Sequence, residues 1–246
     1  MFYEREKKAI LKVFRDITFP DPFFSSEDVS VNDEIGSSIC QKLEKELQEH
    51  FHYAYGATKI VFIPKEDDYV IKIPFTDVSE GFDYDYDEET DEYYKESDKE
   101  NSAPLLNAYL IEEKIYSWNY CEAECQLYNR AKEEELEDLF AKIEYIGRTK
   151  KGHPIYIAQK IEYLEDNLEP SENSLKIAKT IKIKQGTNLD IELTFLSFVI
   201  DCYGIDIGKK LCKFCKKYNI NDIDEKNTGI TAGGAPCIFD YSGFHD

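Results

Sequence analysis

Two periodicities divide the chain, and the changes between them mark its elements. From Glu4 to Phe14, the spacing of Ile10, Leu11 and Phe14 predicts a short amphipathic helix, which Pro20, Asp21 and Pro22 break. A second helix is expected from about Val31 to Glu49, with Ile35, Ile39 and Leu43 or Leu47 on one face and acid and base interleaved on the other. Together these form an N-terminal helical extension, residues 1–50, without evident chemistry. At about Phe51 period two takes over. The runs Tyr-Ala-Tyr-Gly-Ala-Thr-Lys-Ile-Val-Phe-Ile-Pro and Tyr-Val-Ile-Lys-Ile-Pro-Phe, split by the polar turn Lys65 to Asp68, predict three short antiparallel strands. Lys72 stands between Ile71 and Ile73, so it points to the opposite face of the sheet. That position suits a solvated strand lysine, or one held by a carboxylate beside a phosphate site.

Asp77 to Glu100 carries twelve acidic residues against Lys95 and Lys99 and is expected to be a solvated loop, within an insert that spans 77–103. Beyond Pro104, helical spacing returns at Ile111, Ile115, Trp118, Cys121, Cys125 and Tyr128 and runs to about Glu135. Asn119-x-x-Glu122 reads as a capping box that starts a new helix, which occupies Glu122 and leaves Glu124 as the second carboxylate. Leu139 to Ile146 and Ile155 to Ile161 alternate as strands of a hairpin, and Glu162 to Asn173, with Pro170, reads as a linker. A Lys/Ile segment follows. Thr194 to Tyr203, closed by Gly204, and Lys209 to Tyr218 then carry buried helical stripes.

Composition narrows the classes. At 246 residues the chain is long enough to bury roughly 70% of its unfolded surface. A net charge of -20 disfavours direct nucleic-acid or membrane binding, because the average surface repels phosphate backbones and anionic lipid. Charges in Met-Phe-Tyr-Glu-Arg-Glu-Lys-Lys stand where a secretion signal needs an apolar core, and no apolar run is of membrane-spanning length, so a cytoplasmic protein is expected. Seven cysteines, an odd number set in apolar patterns, suit buried thiols in a reducing compartment. Cys212-x-x-Cys215 invites a zinc or redox reading, but no second Cys pair or His pair at a finger-like spacing completes it, and core packing is the expected role.

The chemistry concentrates between Tyr218 and Gly243. Asp222, Asn227 and Asp240 offer hard oxygen donors of the kind Mg²⁺ takes. Asp222 with Asn227 five residues on, then Phe-Asp-Tyr-Ser-Gly, resembles the catalytic and metal loops of the protein-kinase-like fold. With the lysine strand and the helix that carries Glu124, the order of elements from about Phe51 onward is similar to that of small kinase-like proteins of phages and bacteria. The resemblance implies an α+β fold, a five-stranded antiparallel N-lobe sheet with one helix over residues 51–162, and a reduced helical C-lobe over 163–246. It implies ATP and Mg²⁺ as cofactors. Lys72, held by Glu124, would bind the α and β phosphates, Asn227 and Asp240 would hold the metal, and Asp222 would position the attacking hydroxyl or accept its proton. The turn at Gly56 would cover the phosphates, and Glu162 and Tyr163 would form the adenine-contacting hinge. The sequence departs from the family pattern at Ile220 and Asn221, where His and Arg are usual, at Asp224, where Lys or His is usual, and in having one glycine, Gly56, in the phosphate-covering turn. Three functions are compatible with this: an ATP-dependent phosphotransferase acting on a hydroxyl acceptor, a catalytically dead pseudokinase that binds a protein partner, and an acidic interaction protein that uses the 77–103 insert, as a docking surface for a basic partner or a mimic of nucleic-acid charge.

Overall fold

The structure, a computed structural model, describes residues 4–15, 51–55, 59–74, 84–87, 92–95, 109–111, 114–116, 120–150, 154–163, 169–185, 191–220 and 223–241. The first half holds helix α1 (Glu4–Phe14) and strands β1 (Phe51–Tyr55), β2 (Lys59–Pro64), β3 (Tyr69–Pro74), β4 (Tyr84–Asp87), β5 (Glu92–Lys95), β6 (Tyr109–Ile111) and β7 (Lys114–Tyr116). Helix α2 (Tyr120–Glu133), a 3₁₀ turn (Glu137–Leu139), β8 (Ile143–Arg148), β9 (Pro154–Gln159) and β10 (Glu162–Tyr163) follow. Last come α3 (Glu172–Gln185), α4 (Leu193–Tyr203), α5 (Ile205–Tyr218), β11 (Thr228–Ile230) and β12 (Pro236–Ile238). The chain is α+β, and its contacts divide it into two units: Met1–Ala108 with Ser117–Glu122 and Glu144–Ala158, and Tyr109–Tyr116 with Ala123–Ile143 and Gln159–Asp246.

The first unit is built on a five-stranded antiparallel sheet of order β1-β2-β3-β9-β8. Alternation places Ile60 and Phe62 of β2, Ile71 and Ile73 of β3, and Ile155 and Ile157 of β9 in one buried cluster. The helix expected near the N-terminus forms, but it is no appendage. Its Ile10 and Phe14, one helical turn apart, complete that cluster, and the Phe14 ring meets Phe62 and Phe51 edge-on at 4.9 and 5.6 Å. Each side chain contributes about 2 kcal/mol of apolar burial. A partly buried Lys7–Glu144 ion pair at 2.6 Å and the Lys150 N–H donating to the Arg15 carbonyl at 2.7 Å tie both ends of α1 to the sheet.

The acidic stretch differs from its expectation as a loop. β4 and β5 pair antiparallel within it, Tyr86 opposite Tyr93 and Tyr84 opposite Lys95. Aromatic residues are strong strand formers, and here that local propensity outweighs the charge count. Likewise the helical spacing read from Ile111 is replaced by a short hairpin, β6 with β7, and the helix begins at Tyr120, one residue after Asn119. Short runs such as Leu110-Ile111 and Ile115-Tyr116 satisfy both periods, and β-branched and aromatic residues tip them to strand. The helix expected over residues 31–49 lies outside the described residues.

In the second unit α3, α4 and α5 pack on one another around Ala178, Ile181, Phe195, Leu196, Val199, Leu211 and Phe214. Gly204, at φ 89°, ends α4 and starts α5 at once, a backbone state that favours glycine. The Lys/Ile segment is helix α3. It is capped by Ser171, whose Oγ accepts the Ser174 N–H at 3.2 Å, and both hydroxyls donate to Asp201 of α4 at 2.8 and 2.5 Å. The stretch read as a linker therefore shrinks from both ends, since Glu162 and Tyr163 pair with β11 and Ser171 already belongs to a cap.

Candidate functional site

In the first unit the sheet face opposite α1 carries polar side chains. Lys72 faces Val61 across the β2–β3 ladder and Lys59 faces Pro74, so strand alternation puts both lysines on the face away from Ile60, Phe62, Ile71 and Ile73. Neither is solvated: Lys72 is 5% exposed and Lys59 6%. Tyr156, between the core residues Ile155 and Ile157, shares that face. Its hydroxyl donates to Glu122 at 3.2 Å in buried surroundings. Glu122, assigned to a cap from its spacing, thus has a tertiary partner, and it joins Lys59, Lys72 and Tyr156 on one side of the sheet. Lys59 and Tyr156 were not singled out in the sequence. The signal was the lysine opening Lys-Ile-Val-Phe, but only the strand register shows that it shares a face with Lys72.

In the second unit the structure brings Asn227 and Asp240 to the same end of one hairpin. β11 begins directly after Asn227, β12 ends just before Phe239, and Thr228 pairs with Ile238. The Phe239 N–H donates to the Asn227 carbonyl at 2.9 Å, which closes the ladder there. Next to it, Tyr241 is fully buried and donates its hydroxyl to the Ala141 carbonyl at 2.9 Å, its ring edge-on to Phe140 at 5.1 Å. Asp240, half-buried, is therefore fixed between two anchored neighbours. Ala141 also donates to Ile238 at 2.7 Å, and Phe140 bridges Ile238 in parallel. This explains why the strand expected from Leu139 starts only at Ile143: its first residues serve β12.

The loop before β11 is held from within. Asp224 accepts the N–H groups of Lys226 at 2.8 Å and Asn227 at 3.2 Å on its carboxylate. Its carbonyl accepts the Thr228 hydroxyl at 2.7 Å. The carboxylate that departs from the family pattern is an organiser of the loop that presents Asn227. Ile223 pairs with Ile191, and its carbonyl accepts the Glu192 N–H at 2.7 Å, pinning the loop beside the start of α4. Upstream, Asn219 in the left-handed conformation ends α5, and Ile220 N–H donates back to Cys215 at 2.8 Å. Gly56 and Asp222 lie outside the described residues. Glu162 is exposed in β10, where its carbonyl abuts Gly229: a Cβ on that glycine would stand 2.1 Å from it. Glu124 is 1% exposed, and its charge, after burial itself, helps push the Tyr241 phenol well above its ordinary range.

Asn227 and Asp240 fit Mg²⁺ in donor type, since both are hard oxygen ligands and Mg²⁺ takes few protein ligands beside phosphate and water. No group of three or more His, Cys, Asp or Glu suited to a metal occurs among the described residues. Cys212 and Cys215 are buried, and burial pushes the Cys212 thiol up to about 11 and the Cys215 thiol well above its ordinary value. Protonated thiols are poor ligands and poor nucleophiles, so the pair is core. No helix among the described residues is long and apolar enough to cross a membrane. No protein-family model matches the chain, and no curated protein matches it in sequence.

Proposed function

We propose that this chain is a protein-kinase-like phosphotransferase that uses ATP and Mg²⁺ on a hydroxyl acceptor. The observation that carries the proposal is the placement of Asn227 and Asp240 at the same, open end of the β11–β12 hairpin, opposite its turn, each on anchored backbone. Phosphoryl transfer asks a protein chiefly for positioning and charge stabilisation, and preorganised oxygen ligands supply both. When bound, Mg²⁺ would neutralise charge on the phosphate oxygens. In this reading Asn227 and Asp240 would hold that ion, and Asp222 would position the acceptor hydroxyl and take its proton. Lys72 serves as the phosphate cation. Its burial supports that role, because a sequestered lysine keeps a defined position and a stronger field than a solvated one.

The test is γ-phosphate transfer or ATP hydrolysis by wild type and Asp240→Asn, with thermal stabilisation by Mg-ATP measured alongside. The substitution is expected to lower turnover by about 10²- to 10³-fold, the effect of one lost preorganised group. Undiminished turnover in Asp240→Asn refutes the assignment. Stabilisation of wild type by Mg-ATP with no transfer replaces it by the pseudokinase alternative.

A further inference from the structure

We propose that Lys59 is a second phosphate-binding cation, set beside Lys72 on one face of the five-stranded sheet so that the two lysines hold neighbouring phosphates of one triphosphate chain. This role rests on the proposed phosphotransferase function and adds to it a residue that no motif marks. In the β2–β3 ladder Lys59 stands opposite Pro74 and Lys72 opposite Val61, which makes the two lysines diagonal neighbours. Diagonal neighbours on one face lie roughly 7–8 Å apart, within reach of long side chains. Lys59 opens β2, and β3 ends at Pro74, which has no N–H to extend the ladder. Lys59 therefore stands at the rim of the sheet face and Lys72 one step further in.

Burial argues against two lysines that merely solvate their strands. A solvated lysine holds its ammonium in water, whereas Lys59 is 6% exposed and Lys72 5%. In such surroundings a charge acts more strongly on a ligand than it does in water. The same face holds a polar pair: Tyr156, fully buried, donates to Glu122 at 3.2 Å, and all four residues belong to the first unit. A purely structural account makes the lysines counter-ions of buried carboxylates such as Glu122. Partnership of that kind is compatible with phosphate binding, because an ammonium carries three donors and can meet a carboxylate and a phosphate oxygen together. What separates the two roles is the response to ligand.

Two compact charges on flexible stems, spaced along one face, suit a chain of phosphates, since each ammonium can take a different group. The sequence supplies a reason for the second one. The phosphate-covering turn that the kinase-like resemblance implies has a single glycine, Gly56, which limits how closely its backbone can approach phosphates. A side-chain cation three residues further on supplies a contact that backbone N–H groups make in glycine-rich phosphate loops. The chain's net charge of -20 also opposes the approach of a triphosphate, and a second local cation offsets part of that repulsion. Neither lysine is suited to recognise a base by its charge, so the effect of Lys59 should be confined to the phosphates.

The experiment is calorimetric titration of the full chain with Mg-ATP and, separately, with adenosine, for wild type, Lys59→Met, Lys59→Gln and Lys72→Met, with a thermal melt of each ligand-free protein. Methionine keeps an unbranched stem and removes the charge. Wild type should bind Mg-ATP, and each Lys59 variant should bind it about ten- to a hundredfold more weakly, as Lys72→Met should, while adenosine affinity stays at the wild-type value. A merely structural lysine would lower the melting temperature and leave the affinity of the folded protein for Mg-ATP intact. The proposal is overturned if both Lys59 variants bind Mg-ATP as wild type does, and a loss in Lys72→Met alone then leaves the phosphotransferase reading standing. It is equally overturned if adenosine and Mg-ATP affinities fall together, or if neither Lys59 variant folds, since either result makes the lysine structural. A wild type that binds no Mg-ATP overturns both this role and the function it rests on.

Discussion

Replacing Asp224 by alanine removes a carboxylate that accepts two backbone N–H groups, those of Lys226 at 2.8 Å and Asn227 at 3.2 Å. The arrangement is equivalent to a helix N-cap, for which substitution by alanine costs about 1 kcal/mol, with a range of about 0.5–2. Two bonds survive the change, because the Asp224 carbonyl still accepts the Asn227 N–H at 3.2 Å and the Thr228 hydroxyl at 2.7 Å. The loop should loosen without unravelling, for a loss of about 1–2 kcal/mol. Asp224→Asn retains an acceptor oxygen and should lose about half as much. Urea unfolding followed by circular dichroism measures both, with the midpoint falling at constant slope. If Asn227 is a metal ligand, the extra stabilisation that Mg-ATP gives should shrink in Asp224→Ala. Equal losses for the Asn and Ala variants would refute the acceptor argument. A loss above about 4 kcal/mol would mean that Asp224 supports the core and not a loop.

Gly229→Ala should be among the most damaging single changes in the second unit, costing about 3 kcal/mol or preventing folding. Its Cβ would meet the Glu162 carbonyl at 2.1 Å and the backbone must shift, which a thermal melt detects. Stability should also fall in alkali. Burial pushes Cys212 up to about 11 and Cys237 up to about 12, from an ordinary value of 9.0. The stabilisation is whole below pH 9 and is lost as pH rises through the folded-state values, because the unfolded chain has already released those protons. Each proton that only the folded state retains contributes about 1.4 kcal/mol per pH unit, and unfolding free energies that stay flat between about pH 8 and 10.5 would refute this.

The strands β1, β2 and β3 and the helices α4 and α5 were legible because each is decided locally. Period two in Lys-Ile-Val-Phe-Ile and period 3.6 in Phe195, Phe198, Val199 and Cys202 are properties of a few consecutive residues. Asn227 and Asp240 could be named as a pair from the family resemblance, whereas the part Asp224 plays in organising the loop could not. Its backbone partners depend on the fold of a five-residue loop, which composition does not reveal.

The amino-acid sequence by itself determined the α+β class, the amphipathicity of α1 and the oxygen-donor chemistry of residues 222–240. Tertiary structure decided what those elements do. It made α1 a layer of the core, because Ile10 and Phe14 have an apolar sheet face to cover. It set Lys59 beside Lys72, because register across two strands, which no single run encodes, determines which residues share a face. It moved the start of β8, because Phe140 and Ala141 find better-satisfied hydrogen bonds at Ile238, almost a hundred residues away. Local pattern follows from neighbours in the chain, whereas burial and partnership follow from contacts that only the folded backbone creates.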